Sequence, residues 1–270
     1  MHIKTYDFSG IHLGIESEEP LTDNAELRKF SYNGTPDYTI SLHFTDTVPD
    51  TSDCADFFVK TAILEVNTPQ RPFSCTEFYA DHCEMQVLDR YAADFTADSV
   101  LRHLPLSHML LKFDAFVLHG AHIVVDGEAI VFSAPSGKGK STQAELWRRH
   151  RSAAVINGDR VLVRKSADGF TAGGIYFAGT SGICENVTAP LRAIIVLGQA
   201  KENGLHRCTG SQALHSLFGQ SACCNIDGEP VRLVGLMSEL INSTEILRLD
   251  CLPDVSAVET LSDFLYGESK

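Results

Sequence analysis

The stretch that most narrows the folds open to this 270-residue chain is Ala129-Ile130-Val131-Phe132-Ser133 running directly into Ala134-Pro135-Ser136-Gly137-Lys138-Gly139-Lys140-Ser141-Thr142. The apolar run reads as a buried strand, and Gln143 to His150 reads as a helix with Leu146 and Trp147 on its sheet-facing side. Between them lies the pattern of a small residue, four variable positions, then Gly-Lys-Ser, with Ala134 in the first slot where glycine is usual. Glycines let backbone N–H groups wrap a β-phosphate, the lysine neutralises β/γ charge, and the serine hydroxyl can bind Mg²⁺. A helix beginning near Lys140 aims its positive end at the same anion. The segment Ala134 to Thr142 is therefore expected to hold the phosphates of ATP or a close relative, with Mg²⁺ at Ser141.

The flanking sequence predicts the frame around that turn. Phe116-Val117-Leu118-His119 continuing to Ile123-Val124-Val125 reads as one strand, joined to Ala129–Ser133 through Asp126-Gly127, a strong hairpin signal. Val100, Leu101, Leu104, Leu106, Met109, Leu110 and Leu111 recur at mostly helical spacing despite Pro105, which predicts a helix from Asp98 onward. Downstream, strands are expected at Ala153–Ile156, Val161–Val163 (turning at Asp168-Gly169), Leu191–Leu197 and Ile246–Cys251. Helices are expected at Gln212–Phe218, Val231–Ile241 and Val255–Leu265, the last started by Pro253-Asp254.

Residues 1 to 97 have another character, with short β-like alternations at Tyr38–Phe44 and Ala62–Val66 and polar turns such as Tyr32–Asp37. They predict a small β-rich or α+β module, with Glu16–Pro20 as a solvated acidic loop. The expected organisation is thus residues 1–97 as this module and residues 98–270 as an α/β P-loop domain. No repeat or low-complexity segment interrupts either.

Composition excludes several classes. With 22 Lys+Arg against 35 Asp+Glu the net charge is −13, which disfavours nucleic acid as a main partner. No apolar run suits a bilayer span and the N-terminus has no hydrophobic signal core, so a cytoplasmic protein without membrane association is expected. The eight cysteines, Cys54, Cys75, Cys83, Cys184, Cys208, Cys223, Cys224 and Cys251, show no metal-ligand spacing and read as free thiols. A homo-oligomer is compatible with all of this.

Asp159 follows the buried run Val155-Ile156 at the edge of the sheet where ligands gather in open α/β folds. A carboxylate there can bind Mg²⁺ or take a proton from an attacking hydroxyl, while Asn157-Gly158-Asp159-Arg160 also reads as a plain turn. His119 is either a core histidine or a catalytic one. Lys138 either touches a γ-phosphate or extends into solvent, and Arg160 and Arg192 are phosphate clamps or ordinary surface ion pairs.

Together Val117-Leu118-His119, the Asp126-Gly127 hairpin, Phe132 to Thr142 and Leu146-Trp147 resemble the HPr kinase/phosphorylase-related proteins, more narrowly their phosphoenolpyruvate-carboxykinase-like serine kinase branch. The resemblance covers roughly residues 100 to 200. It implies an α/β P-loop kinase domain of the HPr-kinase/carboxykinase type, His119 close to the phosphates, and Asp159 as the base that takes the acceptor's proton. Gly158 stands where that branch carries the first of two aspartates, a departure that bears on Mg²⁺ geometry. Gly174–Gly179 and Asn186–Leu191 resemble its glycine-aromatic loop and Asn-x-x-Ala-Pro-Leu stretch, with residues 179 to 186 reading as a mobile acceptor loop or a plain connector. The arginine- and glycine-rich signature of true HPr kinases is missing, which argues against HPr as substrate.

The leading expectation is an ATP- and Mg²⁺-dependent kinase transferring the γ-phosphoryl group to a hydroxyl, on serine or threonine of a small protein or peptide. Catalytic roles fall to Asp159, His119 and Lys140, and metal ligation to Ser141 and Asp159. The alternative is a nucleotide-binding regulatory or scaffold protein with little transfer activity, which Gly158 favours. A small-molecule kinase or carboxykinase-like enzyme ranks third.

Overall fold

Alternating buried and exposed positions, closed by tight turns, carry the N-terminal part into strands. In the computed structural model, which describes residues 1–47, 60–65, 68–222 and 228–267, β1 (His2–Phe8) and β2 (Ile11–Ser17) form a hairpin. Its turn residues Ser9 and Gly10 both adopt positive φ, 57° and 77°, matching the twist of the two strands. A short helix α1 (Ala25–Arg28), capped by the Asn24 side chain, leads to β3 (Ser31–Tyr32). Then come β4 (Tyr38–Thr45), β5 (Lys60–Glu65), β6 (Thr68–Phe78) and β7 (His82–Leu88). The seven strands lie in the order β3-β1-β2-β4-β7-β6-β5, with β4 parallel to both neighbours.

Two expectations for this region are corrected. Glu16 and Ser17 end strand β2, with Ser17 buried, so the acidic loop is shorter than Glu16–Pro20. The helix after Asp98 is two helices, α2 (Ala97–Arg102) and α3 (Leu106–Leu111), because Pro105 lacks an N–H and its ring drives Leu104 out of the helical region. Val66, Cys54, Cys223 and Cys224 lie outside the described residues; Cys75, Cys83, Cys184, Cys208 and Cys251 are free thiols.

The chain divides into two compact units, one of Met1–Met109 with Cys223–Pro230 and one of Leu110–Ala222 with Val231–Lys270. The second unit carries β8 (Ala115–Val125), β9 (Glu128–Ser133), α4 (Lys140–Arg151), β10 (Ala154–Asn157), β11 (Arg160–Ser166) and β12 (Gly169–Gly173). It continues through β13 (Thr188–Gln199), β14 (Gly204–Arg207), α5 (Gly210–Phe218), α6 (Glu229–Ser243, entered from the first unit), β15 (Glu245–Cys251) and α7 (Val255–Tyr266). The expected Asp126-Gly127 hairpin is present, with positive φ at both residues. Strand β14 is not announced by the sequence, since in Gly204–Arg207 only Leu205 is half-buried and no apolar alternation marks it.

Two long strands organise this second sheet. The first half of β8 pairs with β11, and its second half pairs with β9 and β10. Likewise β13 pairs first with β12 and then, in parallel, with β9 and β15. The changeover in β8 falls between His119 and Gly120, where a side chain at 120 would come within 2.8 Å of Val131 and 3.0 Å of the Phe132 carbonyl. One face of β8, β9, β13 and β15 buries Ile123, Phe132, Ile195 and Leu249 beneath Trp147 of α4 and Leu261 of α7. Each such fully buried large apolar side chain contributes about 1.5–3 kcal/mol, so the helix after the glycine turn is anchored by its inner stripe.

Candidate functional site

Register alone brings three sequence-distant segments to one point. Arg160, the first residue of β11, lies opposite His119, and Ser133, the last residue of β9, lies opposite Gly120. Asp159, Ser133 and the Ala134–Thr142 turn therefore meet where β8 changes partners. Two hydrogen bonds fix the junction: Gly120 N–H donates to Asp159 O at 3.0 Å, and Ser133 Oγ donates to His119 O at 3.2 Å.

Within the turn, Gly137 and Gly139 adopt φ of 77° and 101°, the left-handed region that side chains resist. Gly139 is the N-cap of α4, and no side chain caps that helix. The first-turn amides of α4 are thereby left to an external acceptor. Ala134 is buried, as is Lys140, whose Nζ donates to Ala134 O at 2.8 Å and Pro135 O at 3.3 Å. Pro135, Ser136, Gly137, Lys138, Ser141 and Thr142 are exposed along the rim, and Gly139 is half-buried.

The charges of the three segments act on one another. Burial pulls the Lys140 ammonium below its ordinary range, and the Asp159 carboxylate opposes that. His119 is likewise lowered, first by burial and then by the Lys140 charge, with Asp159 opposing and Arg160 adding to the depression. His119 is therefore a neutral imidazole at neutral pH. Its Nε2 lies 3.9 Å from Asp159 Oδ1, and Arg160 Nε lies 3.5 Å from Asp159 Oδ2. Arg160 also stacks over Phe177, 4.8 Å from the ring centre.

The backbone of Asp159 is held by its neighbour Asn157, which the sequence marks only as part of a turn. Asn157 is fully buried and its side chain is saturated: Nδ2 donates to Ile175 O (2.8 Å) and Phe177 O (2.9 Å), while Oδ1 accepts from the N–H groups of Asp159 (2.9 Å) and Arg160 (3.0 Å). This ties the Asp159 turn to the segment after β12. That segment closes over the carboxylate at Gly179, where φ is +54° and an added Cβ would lie 2.6 Å from Asp159 Cγ. Gly158 is confined from the same side, since a Cβ there would meet Ser181 Oγ at 2.5 Å. The turn reading of Asp159 is what the structure shows, with the carboxylate placed beside His119, and residues 179–181 pack against it as a one-turn 3₁₀ segment. The Asn-Gly-Asp sequence was the available signal, because an Asn in such a turn captures following backbone N–H groups.

Arg192 is not in this group. It lies near the start of β13, with Nε 3.8 Å from Glu128 and a hydrogen bond of 2.8 Å to Leu265 O, so it is a structural clasp away from the turn. Among the described residues no cluster of three or more His, Cys, Asp or Glu forms a cation cage, and no helix is long and apolar enough to cross a membrane.

The fold and this junction define a mixed α/β protein with two sheets, in which a glycine-rich strand-to-helix turn opens beside a neutral histidine and a carboxylate. No protein-family model and no curated protein matches the sequence. Among solved structures the chain is similar to the Hpr(Ser) kinase/phosphatase from Coxiella burnetii, at 11% identity over 55% of this chain and 94% of that one, with a TM-score of 0.31.

Proposed function

We propose that the second unit binds ATP or a related nucleoside triphosphate and transfers its γ-phosphoryl group to a hydroxyl, on a serine or threonine of a small protein or peptide. The observation that carries this reading is the convergence of Lys140, His119 and Asp159 on a strand-to-helix turn whose helix has no side-chain cap. The N–H groups of Gly137, Gly139, Lys140 and Ser141 and the Lys140 ammonium suit a bound triphosphate. Neutral His119 keeps a ring N–H for a phosphate oxygen. The Asp159 carboxylate accepts the proton of the attacking hydroxyl, and Asn157 anchors the backbone of that turn through the Asp159 N–H.

The donor set suits Mg²⁺, since Ser141 supplies a hydroxyl and Asp159 a carboxylate while such ions take their remaining ligands from phosphates and water. When bound, the ion would neutralise β/γ charge. A second reading, nucleotide binding with little transfer, is favoured by Gly158: Ser181 occupies the space that a second carboxylate there would need.

Single-turnover incubation with γ-labelled ATP, Mg²⁺ and a panel of serine- and threonine-containing peptides separates the two. Label should move with the wild type and fall by about 10²–10⁴-fold in Asp159→Asn, with nucleotide affinity retained. Tight binding without transfer in either protein would leave the binding reading standing. Lys140→Ala should remove nucleotide affinity under both readings, and unchanged affinity would end both.

A further inference from the structure

A cavity of about 160 Å³ opens on the flank of the turn formed by Lys138, Gly139 and Thr142, and its far wall comes from the ends of β13 and β15. Its volume lies well under the roughly 300 Å³ at which pockets for drug-sized ligands begin, so it takes one ring system and not a whole nucleotide. The walls are mostly uncharged: Leu252 and Pro253 on one side, Ala200 and Gly198 on another, and the Cys251 thiol, which burial pushes up and so keeps protonated.

One polar group lines this space without a partner. Gln143 is 2% exposed, and its Oε1 is buried with no hydrogen-bond partner among the described residues. Its Nε2 lies 3.4 Å from both Leu252 O and Cys251 Sγ. Turning the amide over would set two acceptor oxygens against each other, so Leu252 fixes which end is nitrogen. A buried acceptor left in this state calls for a donor from outside the chain.

We propose that this cavity is the base subsite and that it selects adenine, whose 6-amino group donates to Gln143 Oε1 while its ring lies against Leu252 and Pro253. This rests on the nucleotide reading above and extends it. The nucleotide then crosses the turn in one direction, with its base beyond Thr142 and its γ-phosphate on the Lys140 side, toward His119 and Asp159. Lys138 and Thr142 lie between the two ends, placing them along the α-phosphate and ribose.

Binding of Mg²⁺-loaded ATP, GTP, purine riboside triphosphate and inorganic tripolyphosphate to the whole chain, followed calorimetrically, tests this. The wild type should prefer ATP about tenfold or more over tripolyphosphate and over the analogue that lacks the amine. Gln143→Leu should erase the discrimination for the amine. Because Gln143 is buried, Ala200→Phe at the exposed cavity rim is the second variant, expected to remove the preference for ATP while tripolyphosphate still binds. Equal affinity of the wild type for ATP and tripolyphosphate would overturn the base subsite but leave the phosphate site intact. Preference for GTP, or an ATP preference that survives both substitutions, would also overturn it. Failure of both ATP and tripolyphosphate to bind would instead end the proposed function itself.

Discussion

His122 gives the sharpest test of how the second unit is built. It lies on β8, opposite Val131 on β9 and Asn157 on β10, fully buried, with neither ring nitrogen hydrogen-bonded among the described residues. Burial alone lowers its pKa from 6.5 to about 3. The folded pKa is depressed, so the unfolded chain binds more protons than the folded one, and stability is lost as pH falls from 6.5 toward 3. Taking those two values, the loss between pH 7 and pH 4.5 is about 2–3 kcal/mol from this one side chain. Other groups titrate in the same window, and comparison with His122→Leu cancels them. Urea unfolding followed by fluorescence of the single tryptophan, Trp147, reports on the same unit. At pH 7 the leucine variant should match or exceed the wild type, since two unpartnered ring nitrogens disappear. On moving to pH 4.5 the wild type should lose about 2–3 kcal/mol more than the variant. Equal losses would refute the reasoning, because His122 would then have found water or a partner and would titrate normally.

Two further outcomes follow from the Asp159 turn. Asn157→Ala strips partners from two carbonyls and two N–H groups in a buried site, and should cost about 2–4 kcal/mol in the same unfolding assay; a change under 1 kcal/mol would mean that those groups are readily rehydrated. Gly179→Ala pushes a methyl against the Asp159 carboxylate and should lower transfer about tenfold or more with ATP affinity kept. Gly182→Ala, which carries a similar positive φ with nothing within 4 Å, is the comparison; equal effects of the two would show that backbone strain, not displacement of Asp159, is responsible.

Local signals were legible wherever the residues that make an element are also neighbours in the chain. The apolar run Ala129–Ser133, the Asp126-Gly127 turn and the stripe placing Trp147 inward each depend on contacts within a few residues, and each is found where the sequence puts it. After Asp98 the apolar periodicity continues across Pro105 although the helical backbone cannot, so one periodic stretch forms two helices. Arg192 was a clamp candidate by residue type alone, and its partners, Glu128 and Leu265, come from elsewhere in the chain.

What the sequence by itself determined is the strand, glycine turn and helix at residues 129 to 151, since glycine's freedom at 137 and 139 and the inward stripe of α4 are properties of local chemistry. What only the tertiary structure decided is the company that turn keeps. Asp159 reaches His119 through the pairing of β11 with β8, Asn157 holds its backbone N–H while Gly179 packs against its side chain, and Gln143 lines a cavity closed by the ends of β13 and β15. Register between distant strands is set by the packing of whole faces, so no short window of sequence records it.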